Sequence, residues 1–337
     1  MKPGRLNLIT DVPGITVGNA EDDRARTGVT VVLPEDAATC AVDVRGGAPG
    51  LRETALLDPV CTVNQVDALV LSGGSAFGLD AAAGVTSWLA ERGRGFAAAG
   101  MQVPIVPAAI LFDLANGGDK TGAPPHRDLA VRACDAAASN FGLGNAGAGH
   151  GATAGRLKGG LGSASLEVPY DPAPITVGAL AAVNSLGSVT MPRSRIFWSW
   201  PVEQDAEFGG PFDPMDFPAP PHEIETKEVA IGNTTLVVVA TDALLDTTQA
   251  TRLAIMAQNG LVRAIRPAHT PLDGDTLFTL STGRAAFRED PIDLAQLGAH
   301  AADCVSRAIA RAVYEAEDLG ELKSYAGLYG RRGLRAG

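Results

Sequence analysis

Cysteine is scarce in this chain: Cys40, Cys61, Cys134 and Cys304 are the only four, far apart and without a CxxC pair. That excludes a thiolate zinc site and a disulfide framework, and predicts buried free thiols. Histidine is equally thin. His126, His150, His222, His269 and His300 are scattered, none at the HExxH spacing of a zinc hydrolase, so no metal is expected. Basic charge is also short, with 27 Lys plus Arg against 38 Asp plus Glu and a formal charge of −11. Such a surface repels phosphate backbones and anionic membranes, so neither nucleic acid nor membrane is an expected partner. No run reaches the ~20 apolar residues of a membrane span, and MKPGRLNLITDVPG lacks a signal-peptide core. A cytoplasmic protein is expected.

What the chain does have is 46% apolar residues with 40 Gly and 22 Pro in 337 residues, a globular composition with many turns. Strands are predicted at Gly28 to Leu33, Thr39 to Val44, Ala68 to Leu71, Val177 to Val183, Ser188 to Met191, Thr235 to Thr241 and Leu277 to Ser281. Helices are predicted at Leu79 to Arg92, Arg127 to Phe141, Thr247 to Asn259 and Ile292 to Glu315. In the third, Ala250, Leu253, Ala254 and Ala257 fall on one face and Gly260 reads as a C-terminal cap. The pattern indicates a layered α/β protein. Residues 201 to 227 are rich in proline and acids and predict an irregular, exposed connection, followed by an apolar run from Val229 to Thr241.

Three motifs invite a chemical reading. Ser75 in SGGSAFG resembles a nucleophile elbow, but Phe77 stands where that motif needs glycine, which leaves a glycine-rich turn that lines a pocket with backbone N–H groups. Gly142, Gly144 and Gly147 spell GxGxxG, yet they follow a predicted helix instead of a strand. The stretch, continued by Gly149, Gly151 and Gly155, reads as backbone approaching something closely, or as an anion cradle in a binding protein. Asn233-Thr234-Thr235 reads as strand entry or as something more reactive.

A threonine hydroxyl needs an adjacent base to become nucleophilic. If the Asn233–Thr234 bond is cut, Thr234 gains a free α-amine of pKa about 7.7 to 8.0, well placed for general base work at neutral pH. The same hydroxyl is able to cut that bond by attacking the preceding carbonyl, with Gly232 supplying backbone freedom.

GNTTLVVVATDA and IRPAHTPLDGDTLFTLSTG, with DVRGGAPG, LVLSGGSAFGLDAAAGV, VPAAILFDL and AGAGHGATAGRLKGGLGSAS before them, resemble the DmpA-like family of self-processing aminopeptidases and amidases. Within it the likeness is strongest to the nylon-oligomer hydrolases, the 6-aminohexanoate-oligomer endohydrolases. It spans about residues 8 to 318, with the motifs in the family's order. The resemblance implies a single catalytic domain with a four-layer αββα sandwich of the N-terminal-nucleophile type, cut into 1–233 and 234–337. It implies a homo-oligomer of the processed heterodimers, commonly a tetramer of them. Thr234 matches the nucleophile and Asn233 the residue before the cut. Asn184 matches an active-site asparagine whose amide donates to an oxyanion. Asp273 and Asp275 match a pair of acids that orient the Thr234 ammonium or hydroxyl.

Two positions depart from the nylon-hydrolase pattern. Its AGK motif reads Ala154-Gly155-Arg156 here, with Lys158 two residues on, so the basic role is open between Arg156 and Lys158. Its tyrosine is Phe112, which with Ser75 is expected at the substrate. The implied activity is an N-terminal-threonine amidohydrolase, free of any cofactor, acting on a small-molecule amide such as a 6-aminohexanoate oligomer or on short peptides. The alternatives are an aminopeptidase for D- or β-amino acid ends and, from another class, a non-processing binding protein.

Overall fold

The computed structural model describes residues 1–217, 223–227 and 232–331. His222 and Val229, Ala230 and Ile231 of the expected apolar run lie outside these residues. The strands of the two large sheets are β1 (Ile15–Asp22), β2 (Thr27–Pro34), β3 (Ala38–Val44), β4 (Leu69–Ser72), β5 (Ala108–Ile110), β6 (Gly160–Val168), β7 (Ile175–Asn184), β8 (Thr234–Ala243) and β9 (Thr276–Ala285), with two-residue strands at Leu51–Arg52 and Gln65–Val66. The main helices are α1 (Ala81–Ala90), α2 (His126–Asp135), α3 (Thr247–Ala264) and α4 (Pro291–Tyr314).

One sheet runs β1-β2-β4-β5 and ends at Leu51–Arg52; the other runs β6-β7-β8-β9-β3 and ends at Gln65–Val66. Burial divides into three cores. Val29, Val31 and Val70 pack under α1 and α2; Val17, Val32, Leu71 and Leu180, Val238, Phe278 fill the space between the sheets; Val177, Val239 and Leu277 pack under α3 and α4. Three cores separate four layers, the αββα sandwich that the resemblance implies. Along β8, Leu236, Val238 and Ala240 face the other sheet while Val237 and Val239 face the helices, as the period of two requires. Both faces of β8 are covered, so it reads as one continuous apolar run.

Several expectations shift. The helix expected to reach Phe141 ends at Asp135, because Ala138 leaves helical geometry to exchange two backbone hydrogen bonds with Val17 on the edge strand, both at 3.1 Å. The expected strand at Ser188 to Met191 is an irregular segment with bridges from Ser188 to Arg266 and Thr190 to Phe197. Gly260 caps nothing. α3 runs through it to Ala264, and a Cβ there would lie 2.1 Å from the Ala302 carbonyl oxygen, so this glycine permits α3 to cross α4 closely. β6 escapes the sequence because GLGSASLEV carries few β-formers, its small residues instead admitting α4: a Cβ at Gly162 would sit 2.0 Å from the Ala308 carbonyl.

The proline-rich connection is irregular where described, with single turns at Trp200–Val202 and Pro214–Asp216, but it is not wholly exposed. Phe208 is fully buried edge-on against Phe197. Glu207 accepts from the buried Arg307 of α4 at 2.5 and 3.0 Å, which ties the connection to the last long helix. The four thiols are free, three of them buried and Cys61 half-buried. In the Gly142 to Gly155 stretch the close approach is to the protein itself: a Cβ at Gly149 would meet the Leu161 nitrogen at 2.1 Å.

Candidate active site

Asn184 ends β7 and Thr234 begins β8, and the antiparallel register sets them directly opposite each other. Both continue the alternation that faces the other sheet, so they sit where the gap between the sheets opens at its end. Both are buried. The strand order and hydrophobic period thus bring together two residues far apart in sequence.

The Asn233 carbonyl, on the bond to Thr234, is closely held. The Thr234 hydroxyl donates to the Asn233 carbonyl oxygen at 2.5 Å, and the Gly274 N–H donates to the same oxygen at 2.7 Å. Gly274 reaches it because the loop before β9 prolongs the parallel β8–β9 pairing by a bridge from Asn233 to Asp273. Just upstream, Gly232 has φ +74°, and a Cβ there would lie 2.2 Å from Cγ of Phe112. Only glycine fits both that conformation and that contact.

Asn184 does not point at the Asn233 carbonyl. Its Nδ2 donates to the carbonyl oxygens of Phe112 at 3.0 Å and Gly232 at 3.1 Å, while its Oδ1 accepts from the Thr153 N–H at 2.9 Å. Besides the Thr234 hydroxyl, the donor on the Asn233 carbonyl oxygen is therefore the Gly274 backbone N–H, and the asparagine amide holds the residue before it.

Asp273 and Asp275 flank Gly274, both buried, and their carboxylates hold backbone around Thr234. Asp275 accepts from the Thr235 N–H at 2.8 Å, and from the N–H of His269 and its Nδ1, each at 3.0 Å. Asp273 accepts from the Leu186 N–H at 3.2 Å, the Thr270 N–H at 3.0 Å and the Thr270 hydroxyl at 2.5 Å. Burial, with the neighbouring Asp275 charge adding to it, lifts the Asp273 carboxyl above its usual range.

A cavity of about 380 Å³ opens beside Asn184, lined by Phe112, Thr153, Arg156, Asn184, Lys227 and Gly232 among others. Arg156 and Lys158 part company here. The pairing of Thr153–Ala154 with Leu157–Lys158 leaves Arg156 exposed at the turn, on the cavity lining. Lys158 is turned inward, fully buried, its Nζ donating to the carbonyls of Gly149 at 2.9 Å and Gly159 at 2.8 Å. Phe112 lines the cavity; Ser75 does not, sitting instead at φ +51° with its N–H on the Leu111 carbonyl at 2.9 Å. Among the described residues no cluster of His, Cys, Asp and Glu is able to hold a metal ion, and no helix is long and apolar enough to cross a membrane.

Sequence reasoning missed Lys227, His269, Thr270 and the Gly274 N–H. His269 and Thr270 lie in the quoted IRPAHTPLDGD segment, and Gly274 stands between the two acids singled out, so position in a motif was the available signal. Lys227 had only its place at the end of the proline-rich connection. Its Nζ lies 3.2 Å from both Oδ1 and the backbone oxygen of Asn184, and burial holds the amine down to about 7, with Asp273 opposing the shift.

A model of peptidase family S58 matches residues 7–325. Over 96% of this chain and 98% of the relative, the sequence is 43% identical to an uncharacterized aminopeptidase of Mycobacterium tuberculosis. It is 31% identical to the 6-aminohexanoate-oligomer endohydrolase of Kocuria sp., over 86% of this chain and 77% of that one. In three dimensions it is similar to the L-aminopeptidase D-Ala-esterase/amidase of Ochrobactrum anthropi, described as a variant of the Ntn-hydrolase fold, with a TM-score of 0.72 and 25% identity over 95% of this chain and 89% of that chain.

Proposed function

The chain belongs to peptidase family S58 and is an amide- or peptide-bond hydrolase of Ntn-hydrolase fold, and from that premise we propose that it matures by cutting itself at Asn233–Thr234 and then works through the new N-terminal threonine. One observation carries the reading. The Thr234 hydroxyl lies on the carbonyl of the bond to be cut, while the Gly274 N–H holds the same oxygen where negative charge would develop.

In the first step Thr234 Oγ1 attacks the Asn233 carbonyl carbon, the hydroxyl proton passes to the peptide nitrogen, and the C–N bond breaks to leave an ester. Water then splits the ester, giving chains 1–233 and 234–337. The freed α-amine, with an ordinary pKa of about 7.7 to 8.0, becomes the base for the next attack. Asp275, by fixing the Thr235 and His269 backbone, holds that terminus in place after the cut. Release of the Gly232 carbonyl frees one N–H of Asn184 to join the oxyanion site on substrate turnover. Arg156 at the cavity rim supplies positive charge but no base.

Substrates are short linear amides with a free amino end, 6-aminohexanoate oligomers or short peptides, as the names of the relatives suggest. Intact mass measurement on fresh protein is expected to show two chains split at Asn233–Thr234, and Thr234→Ala a single chain with activity on both substrate classes reduced by at least ~10³-fold. A variant that still splits there, or a fully active wild-type protein of one chain, overturns the reading. Release of D- or β-amino acid ends in preference to both substrates would select the aminopeptidase alternative.

A further inference from the structure

Lys227 reaches the cavity in the manner of a bound ligand. Thr226 forms an antiparallel bridge with Gly187, and the Lys227 N–H donates to the Leu186 carbonyl at 3.1 Å, so this piece of backbone lies alongside Leu186–Gly187 as an added strand. From there the stem enters the cavity and the amine stops at two acceptors, the backbone oxygen and Oδ1 of Asn184, each at 3.2 Å. The Asp273 charge acts on the amine favourably, and Asp273 also accepts the Leu186 N–H at 3.2 Å, fixing the edge on which Lys227 rests. The Asn184 amide is held in this orientation from the other side by Thr153, so its oxygen faces the amine by design of the fold.

Lysine offers a chemical clue to what else fits. An amine, four methylenes and a carbon bearing a carbonyl make a lysine residue a 6-aminohexanoyl unit with an extra amide at the carbon next to the carbonyl. We propose that Oδ1 and the backbone oxygen of Asn184 form a subsite for a primary ammonium group on an unbranched aliphatic chain, and that Lys227 fills it in the intact chain as a built-in occupant. The inference rests on reading the Asn184 cavity as the substrate site. A substrate amine then has to displace Lys227, and the apparent affinity falls by the fraction of time the subsite stands free.

The test uses the full chain carrying Thr234→Ala, so that binding is read without turnover. n-Hexylamine, 6-aminohexanoate and, as the amine-free control, 1-hexanol are titrated by calorimetry against Thr234→Ala alone and against Thr234→Ala with Lys227→Met. Both amines are expected to bind at least ~10-fold tighter once Lys227 is gone, with hexanol unchanged. Lys227→Gln repeats the comparison should the methionine variant misfold, as judged by circular dichroism. Equal amine affinity with and without Lys227, no amine binding in either, or an equal gain for hexanol overturns the subsite. The readout is independent of scission: a wild-type mass of one chain would sink the maturation reading while this titration still decides the subsite.

Discussion

Lys158, fully buried, and Lys227, half-buried, are two lysines with the same altered character and opposite settings. Burial holds each down to about 7, opposed by a carboxylate, Asp113 for the first and Asp273 for the second. Lys158 is fixed by covered backbone, its amine donating to the carbonyls of Gly149 and Gly159. Lys227 comes from a connecting segment and lines an open cavity. The first amine closes a piece of fold; the second sits where something else can take its place. Lys158, one of the two residues between which the sequence leaves the basic role open, is thus tied into covered backbone, and the lysine on the cavity comes from a stretch of sequence with no pattern.

The largest effect expected from this contrast is on stability. Lys158→Met keeps the stem but strips two buried carbonyls of their donors, at about 1–3 kcal/mol each, so urea unfolding should show a loss of about 2–6 kcal/mol. A loss no greater than that of Lys227→Met would break the comparison. The next effect is in pH. An unfolded lysine titrates near 10.4 and these two near 7, so between those values the unfolded chain binds more protons than the folded one. Their contribution to stability therefore climbs from about pH 7 to about pH 10 and is flat outside that window. The difference in melting temperature between wild type and Lys158→Met should widen with pH over that range; a constant difference would mean that Lys158 is charged in the fold.

The layering was legible because its elements are long and periodic: β8 is one apolar run, and α3 repeats its inward face at Ala250, Leu253, Ala254 and Ala257. What escaped was settled by contacts between distant segments. The end of α2 yields to pairing between Ala138 and Val17, and Gly260 serves a helix crossing that local sequence cannot display. At the site the pattern is the same. Thr234, Asn233, Asn184, Asp273 and Asp275 were marked by motifs and the fold gathers them, but the second donor on the Asn233 carbonyl, beside the Thr234 hydroxyl, is a backbone N–H that no side-chain motif encodes. Ser75 shows the reverse: expected at the substrate, it does not line the Asn184 cavity, while Gly74 and Phe77 of its turn line a separate pocket with Asp113 and His126.

The smallest effect is the most discriminating. Removing Lys227 leaves no covered acceptor without a partner, because Asn184 Oδ1 keeps the Thr153 N–H at 2.9 Å and the cavity admits water to the backbone oxygen. It also ends the cost of holding an amine away from water at a pH where it would otherwise be charged. These terms oppose each other, so Lys227→Met should shift unfolding free energy by less than about 1 kcal/mol at pH 7. A loss of several kcal/mol would make the Lys227 amine a structural tie like that of Lys158, and would leave the cavity without a displaceable occupant.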